Sequence, residues 1–251
     1  MSTPFDLGGM TAVVTGGGRG LGHGISDALL EAGADVIVLG RSPIPAELKE
    51  HAAALGREVH FVALDLADSG ALDTAAQQVL ATHRVDILVN NAGTQDRYPA
   101  VEFPLDAWDA VLDINLRAVF QLCQLFGRPM LERGGGKIVN LASLLSFQGG
   151  MTVPAYAASK GAVAQLTKAL CNEWSSRGVN VNAVAPGYMA TEMNAALLAD
   201  PARMEQLSAR IPAGRWGQPQ DIGNVVVFLA SPAAGYVHGQ VLAVDGGWMA
   251  R

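Results

Sequence analysis

Thr11–Gly22 reads TAVVTGGGRGLG. Thr11–Thr15 is a short apolar run that passes directly into Gly16-Gly17-Gly18-Arg19-Gly20-Leu21-Gly22. Beyond the glycines, Ile25, Ala28, Leu29 and Ala32 recur on one helical face until Gly33 stops the pattern. A strand, a tight turn and a helix are expected. In that setting the turn is a phosphate cradle. Glycines let the backbone approach a pyrophosphate, and the helix N-terminus offers N–H donors and positive potential. The spacing Gly16-x-x-x-Gly20-x-Gly22 departs from the commoner G-x-G-x-x-G, and without the flanking elements it would be a plain glycine-rich turn.

The same alternation continues outward. Asp35–Leu39 is the second expected strand, ending at Gly40-Arg41. A helix over Ile44–Leu55 and a strand over Glu58–Ala63 follow, then Asp65-Leu66, whose carboxylate could accept from an adenine amino group. Ser69–Thr82 reads as a helix capped by Ser69, and Val85–Asn90 as a strand ending in Asn90-Asn91-Ala92-Gly93. Leu105–Leu131 is helical in period, with Asn115 in its middle as a solvated or packing residue. Lys137–Leu141 is a strand, the helix carrying Tyr156 runs to about Ser176, and Asn180–Ala185 leads into Pro186-Gly187. Thr191–Arg210 is polar and partly helical, Asp221–Ala230 is a helix, and Gln240–Val244 is a last strand. Strands alternating with helices throughout predict one α/β domain over residues 1–251, a Rossmann-type doubly wound parallel sheet of about seven strands with helices on both faces. Ligands of such sheets bind at the carboxyl ends of the strands. Gly16–Gly22, Arg41, Asp65, Asn91–Gly93, Ser143 and Pro186-Gly187 all follow expected strands.

Composition narrows the function classes. The 251 residues carry a net charge of −6, with Lys and Arg scattered singly, so no stripe for nucleic acid is present. No apolar run approaches the roughly 20 residues that span a bilayer. The N-terminus has neither the basic nor the apolar region of a signal peptide. Cys123 and Cys171 lie far apart and suggest reduced, buried thiols in a cytoplasmic protein. The five histidines form no ligand-like cluster, and no metal is expected.

The chemistry concentrates in Ser143–Lys160, SLLSFQGGMTVPAYAASK. Tyr156 and Lys160 stand at i and i+4, one turn apart on one helix face. Ser143 follows the strand Lys137–Leu141. A phenol titrates near 10, and a cation beside it lowers that value. The group suits proton transfer to or from a substrate oxygen. At the end of the second strand, Gly40 stands where an acid would bind the ribose 2′-OH of NAD, and Arg41 could accommodate the 2′-phosphate of NADP or simply be a solvated loop arginine.

These positions together resemble the short-chain dehydrogenase/reductase family, and the match covers nearly the whole chain. The matching pieces are Thr15-Gly16-x-x-x-Gly20-x-Gly22, Asp65, Asn90-Asn91-Ala92-Gly93, Asn115, Ser143, Tyr156-x-x-x-Lys160 and Pro186-Gly187. The resemblance implies a nicotinamide cofactor and a catalytic tetrad. Tyr156 would be the general acid/base, Ser143 would hold the substrate oxygen, Lys160 would lower the tyrosine pKa and bind the ribose, and Asn115 would anchor a relay water. Cofactor contacts are implied at Gly16, Arg19, Gly20, Leu21 and Gly22. They are implied also at Arg41, Asp65, Leu66, Asn91, Ala92 and Gly93, and at Pro186, Gly187, Met189 and Thr191. Within the family, Ser143–Gly150, Val153–Tyr156, Ala185–Met189, Arg210–Gly217 and Ala243–Arg251 resemble the dehydrogenases of deoxy sugar acids, which generally use NAD(H). NAD is therefore the expected cofactor, with NADP possible. The substrate is a small carbonyl or alcohol molecule. Arg97 and Gln148 would join Ser143 and Tyr156 in binding it, Arg97 through the carboxylate, with Ser146 a further polar candidate and Asn194–Met204 covering the site. A reductase of 3-ketoacyl thioesters and a non-catalytic dinucleotide sensor remain alternatives. The apolar surplus of the helices at Leu105–Leu131 and Thr152–Ser176, with the resemblance, implies a homotetramer.

Overall fold

The computed structural model describes residues 3–194, 197 and 199–251, so part of the stretch Asn194–Met204 lies outside the described residues. Seven strands form one sheet: β1 (Thr11–Thr15), β2 (Asp35–Gly40), β3 (Val59–Ala63), β4 (Ile87–Asn90), β5 (Gly136–Leu141), β6 (Val179–Pro186) and β7 (Val241–Val244). Their order is β3-β2-β1-β4-β5-β6-β7, and every pairing is parallel. The connecting helices are α1 (Gly20–Glu31), α2 (Ala46–Ala54), α3 (Ser69–Thr82), α4 (Leu105–Leu112), α5 (Ala118–Arg133), α6 (Pro154–Trp174), α7 (Pro201–Ser208) and α8 (Pro219–Ala230).

The pleat sends alternate side chains to opposite faces. Val14, Val36, Val38, Val89, Val139 and Val184 meet Ile25 and Leu29 of α1, Leu48 of α2, and Ile222 and Val226 of α8. Val13, Ile37, Leu88, Ile138 and Val181 meet Leu72 of α3, Leu122 and Phe126 of α5, and Val163 and Leu170 of α6. Burial on both faces is why these strands read as unbroken apolar runs. Helices α1 and α8 cross at their backbones: a Cβ on Gly223 would stand 2.5 Å from the Gly24 carbonyl oxygen.

Three local expectations are corrected. The cap of α3 is Asp68, whose Oδ1 accepts from the Ala71 N–H at 3.0 Å, while the Ser69 hydroxyl donates to Gln121 of α5. The helix expected over Leu105–Leu131 is interrupted by a π-helical turn, Asp113–Arg117, so α4 and α5 are separate elements. Cys123 is buried, and burial pushes its thiol up to about 12, but Cys171 is only partly covered.

Candidate active site

The carboxyl ends of β1, β4, β5 and β6 open onto one cleft of about 1300 Å³. Its first wall is the glycine turn. Gly16 has φ +64°, which favours glycine, and a Cβ on Gly22 would lie 2.0 Å from the Gly16 carbonyl oxygen. The turn is braced from β4: Asn91 Nδ2 donates to the Thr15 carbonyl at 2.9 Å, and Thr15 Oγ1 accepts from the Asn91 and Ala92 N–H groups, each at 3.0 Å. Asn91 thus spends its side-chain amide on the fold while still lining the cleft.

Ser143 follows β5 and begins a short 3-10 turn, Leu144–Ser146. Its Oγ accepts from the Leu145 N–H at 3.2 Å. Ser146 Oγ accepts from the Ser143 N–H and donates to the Lys160 carbonyl at 2.7 Å, pinning the turn to α6. Ser146 is consequently a brace and is not on the cleft wall, which corrects its expected place beside the substrate. Pro154 opens α6, and Tyr156 and Lys160 reach the cleft from one face. Lys160 is 3% exposed; its Nζ donates to the Leu141 carbonyl at 2.6 Å and lies 5.8 Å from the Tyr156 ring centroid.

The electrostatics differ from the simplest expectation. Burial pushes the Tyr156 phenol upward, and its hydrogen bond with the Ser143 hydroxyl opposes that rise. Burial pulls the Lys160 ammonium down to about 8. Desolvation penalises phenolate and ammonium alike. In this structure desolvation is the largest influence on both groups.

Asn115 is fully buried behind the cleft, which selects the packing alternative of the mid-helix reading over the solvated one. It sits in the π turn, where the Ala118 N–H donates to the Asp113 carbonyl. Its Oδ1 accepts from the Thr94 N–H at 2.8 Å, and its Nδ2 donates to the Thr94 carbonyl at 2.9 Å and to Ser159 Oγ at 3.1 Å. Ser159 donates in turn to the Tyr156 carbonyl at 2.8 Å. Asn115 therefore ties the loop after β4 to the helix of Tyr156.

Every other expected site residue lines the cleft. Arg19, Gly20 and Leu21 lie there with Gly16 and Gly22; Arg41, Asp65 and Leu66 are at the β2 and β3 ends. Ala92, Gly93, Arg97 and Gln148 line the cleft as well, as do Pro186, Gly187, Met189 and Thr191. Asp65 Oδ1 already accepts from the Ala67 N–H. Among the described residues Arg97 makes no ion pair with Asp96 or Glu102. Arg215 is engaged elsewhere, with both terminal nitrogens on Asp221 at 2.7 and 2.9 Å. Ser159, Arg210, Tyr188 and Trp248 were not anticipated. Ser159 stands beside Lys160 in the motif itself, and the other three fall within Ala185–Met189, Arg210–Gly217 and Ala243–Arg251, segments that carry the narrower resemblance, although nothing in them shows that their side chains meet at the wall.

A profile described as enoyl-(acyl carrier protein) reductase matches residues 16–249. The chain belongs to the short-chain dehydrogenase/reductase family. Among curated members it is 50% identical over 247 residues to the 2-dehydro-3-deoxy-D-gluconate 5-dehydrogenase of Bacillus subtilis, covering 98% of this chain and 97% of the relative. Among solved members, a Beutenbergia cavernae protein, provisionally assigned as an NAD(P)-dependent gluconate 5-dehydrogenase and holding NADP at low occupancy, is 53% identical. The two superpose with a TM-score of 0.96 over 99% of this chain and 100% of the other. The gluconate 5-dehydrogenase of Burkholderia cenocepacia, in complex with NADP and tartrate, is 40% identical with a TM-score of 0.94, over 99% and 98% of the two chains. Membership of the short-chain family covers both the glycine turn and the Ser143–Lys160 stretch, so cofactor wall and reaction centre come from one continuous match.

Proposed function

We propose that this short-chain dehydrogenase/reductase interconverts a ketone and a secondary alcohol on a deoxy sugar acid of the 2-dehydro-3-deoxy-D-gluconate or 2-deoxy-D-gluconate type, using NAD(P). The observation that carries the reading is the meeting of Ser143, Tyr156 and Lys160 on one cleft wall, in a chain half identical along its length to a dehydrogenase of that acid. The chain is treated as one catalytic domain and the protein as cytoplasmic; among the described residues no helix is long and apolar enough to cross a membrane.

The residues present fit a dinucleotide. The backbone at Gly22 lies so close to Gly16 that no side chain could intrude, which keeps the turn open to a pyrophosphate. Arg19, Gly20 and Leu21 would complete that turn, with Arg41, Asp65 and Leu66 at the adenosine and Asn91–Gly93, Pro186, Gly187, Met189 and Thr191 nearer the nicotinamide. When bound, the nicotinamide supplies or takes up the hydride. The chain handles the proton. Tyr156 Oη gives a proton to the carbonyl oxygen on reduction and receives it on oxidation, while the Ser143 hydroxyl holds that oxygen. Lys160 holds the cofactor ribose and adds positive charge near the phenol. Asn115 fixes the loop after β4 and anchors a water on the proton path. Arg97 binds the carboxylate and Gln148 a hydroxyl.

Gly40 offers no carboxylate to reject a 2′-phosphate, and the two solved relatives described above hold NADP, so both cofactors are expected to work; the modest preference proposed for NAD(H) rests on the family resemblance alone. The assembly is proposed to be a homotetramer. The test follows reduced-nicotinamide absorbance with a panel of keto sugar acids and a 3-ketoacyl thioester, each with both cofactors. Highest kcat/KM on a deoxy keto acid is the expected result. Highest kcat/KM on the thioester would replace the substrate, and tight cofactor binding without turnover of any carbonyl would make the protein a sensor.

A further inference from the structure

The cleft is unevenly charged. Its carboxylates are Asp65, at the β3 end, and Glu192, which pairs with Arg19 at 3.7 Å. Besides Lys160, Arg19 and Arg41, the last at the adenosine end, the wall carries Arg97, Arg203 and Arg210. Arg210 differs from the other two in having a built support. Its guanidinium carbon sits over the Trp248 ring, 3.9 Å from the centroid. Trp248 is 5% exposed, its ring centroid is 4.6 Å from that of Tyr188, and it packs with Leu144, Leu207 and Trp216. Leu144 is the neighbour of Ser143 in sequence, and Leu207 lies in α7, just before Arg210. The cluster therefore fixes Arg210 relative to the reaction centre. The Trp248 indole N–H is buried without an acceptor among the described residues, a costly arrangement for a ring that serves packing alone.

A guanidinium resting on an aromatic face is restrained without spending the N–H donors at its edge. Arg210 has no carboxylate partner among the described residues. Its fork is held and, among the described residues, its hydrogen-bonding capacity is unspent, which is the condition for binding a planar anion with little further ordering. We propose that Arg210, supported by Trp248, is a specificity-determining residue that shares with Arg97 the carboxylate of a compact organic acid in the cleft. The proposal rests on the sugar-acid reading for the identity of that acid, and on the geometry alone for its class.

The test uses the full chain with Arg210→Ala, Arg210→Lys, Trp248→Leu and Trp248→Phe. It measures kcat and KM on the sugar acid and on an uncharged keto sugar, cofactor affinity by fluorescence, and inhibition by tartrate competing with the varied substrate. Arg210→Ala is expected to raise KM for the acid and the tartrate inhibition constant by about tenfold or more. Turnover at saturation, cofactor affinity and KM for the neutral sugar should hold. Arg210→Lys should recover little of the loss, and Trp248→Phe should keep more acid affinity than Trp248→Leu. Equal losses on charged and neutral substrates, or an unchanged tartrate constant, would overturn the proposal. If the wild type turns over no sugar acid, the substrate reading fails, while tartrate inhibition measured against whichever carbonyl it does reduce still decides the role of Arg210.

Discussion

Tyr156 and Lys160 are both held away from their charged forms by burial, the tyrosine pushed up and the lysine pulled down to about 8. A protonated phenol at neutral pH is ready to donate, so carbonyl reduction should be fastest there and fall as the phenol titrates. Alcohol oxidation needs the phenolate and should rise over the same range; pH–rate profiles in the two directions check the opposition. Tyr156→Phe should lower kcat by roughly 10²–10⁴ and leave cofactor binding intact. Near-normal turnover would remove Tyr156 from the mechanism. Lys160 carries a second consequence. Its folded pKa lies below that of a free lysine, so between pH 8 and about 10.4 the unfolded chain holds a proton that the folded one has released, and stability rises with pH. Lys160→Met removes the buried ammonium. Its stability should gain on the wild type at pH 7 and lose that gain by pH 10, a swing of the order of 3 kcal/mol. Denaturant midpoints at the two pH values measure it, and a difference independent of pH would show that the ammonium is not desolvated.

At the scale of the elements, the inner strands were legible because they bury both faces and so read as apolar runs, as TAVVT and ILVN do, while the edge strands β3 and β7 are only partly covered. The carboxyl-end clustering of the motifs followed from the parallel order. The details that failed are those that periodicity does not encode. A π turn adds one residue to a helix with no residue type of its own to mark it, so Asp113–Arg117 was invisible and Asn115 could be read as either solvated or packed. Asp68 and Ser69 are both good caps, and only the backbone shows which one stands at the boundary. Arg210 meets Trp248 through tertiary packing with no local signal at all. The π turn gives a direct test. Asn115→Leu leaves the Thr94 N–H and C=O without their partners and is expected to cost about 1–3 kcal/mol, with a larger fall in kcat than in cofactor affinity. Gly223→Val tests a different contact. The Gly24 carbonyl oxygen lies 2.5 Å from where its Cβ would stand, so α8 must shift off α1, with a loss of about 1–3 kcal/mol or more by denaturant titration.

Across the whole molecule, the apolar surplus anticipated for the long helices survives folding on Leu105–Leu131 but not on Thr152–Ser176, where no large apolar side chain is exposed. Val101, just before α4, is 95% exposed, Leu105 at the start of α4 is 78% exposed, and Phe120 in α5 is 41% exposed. Two of these three lie on the long helical segment that the sequence marked, whose inward face is already occupied by Leu122 and Phe126. An isolated exposed leucine needs no explanation, but several large apolar groups on neighbouring elements point to a covered surface. A second copy of the chain is the occupant that the family resemblance implies, and a stable contact buries roughly 1,200–2,000 Å² in total. The wild type should therefore sediment as a tetramer of the 26.1 kDa chain, well above the monomer, at micromolar concentration. Leu105→Glu combined with Phe120→Glu places two charges on that surface and should shift sedimentation toward smaller species, since a charge buried without a partner is strongly disfavoured. Because neither side chain lines the cleft, cofactor binding per chain should persist in the smaller species. Thermal stability of the wild type should also rise with protein concentration, as mass action requires of an assembled state, while that of the double variant should not. A wild-type monomer at micromolar concentration would leave these residues as ordinary surface and refute the tetramer.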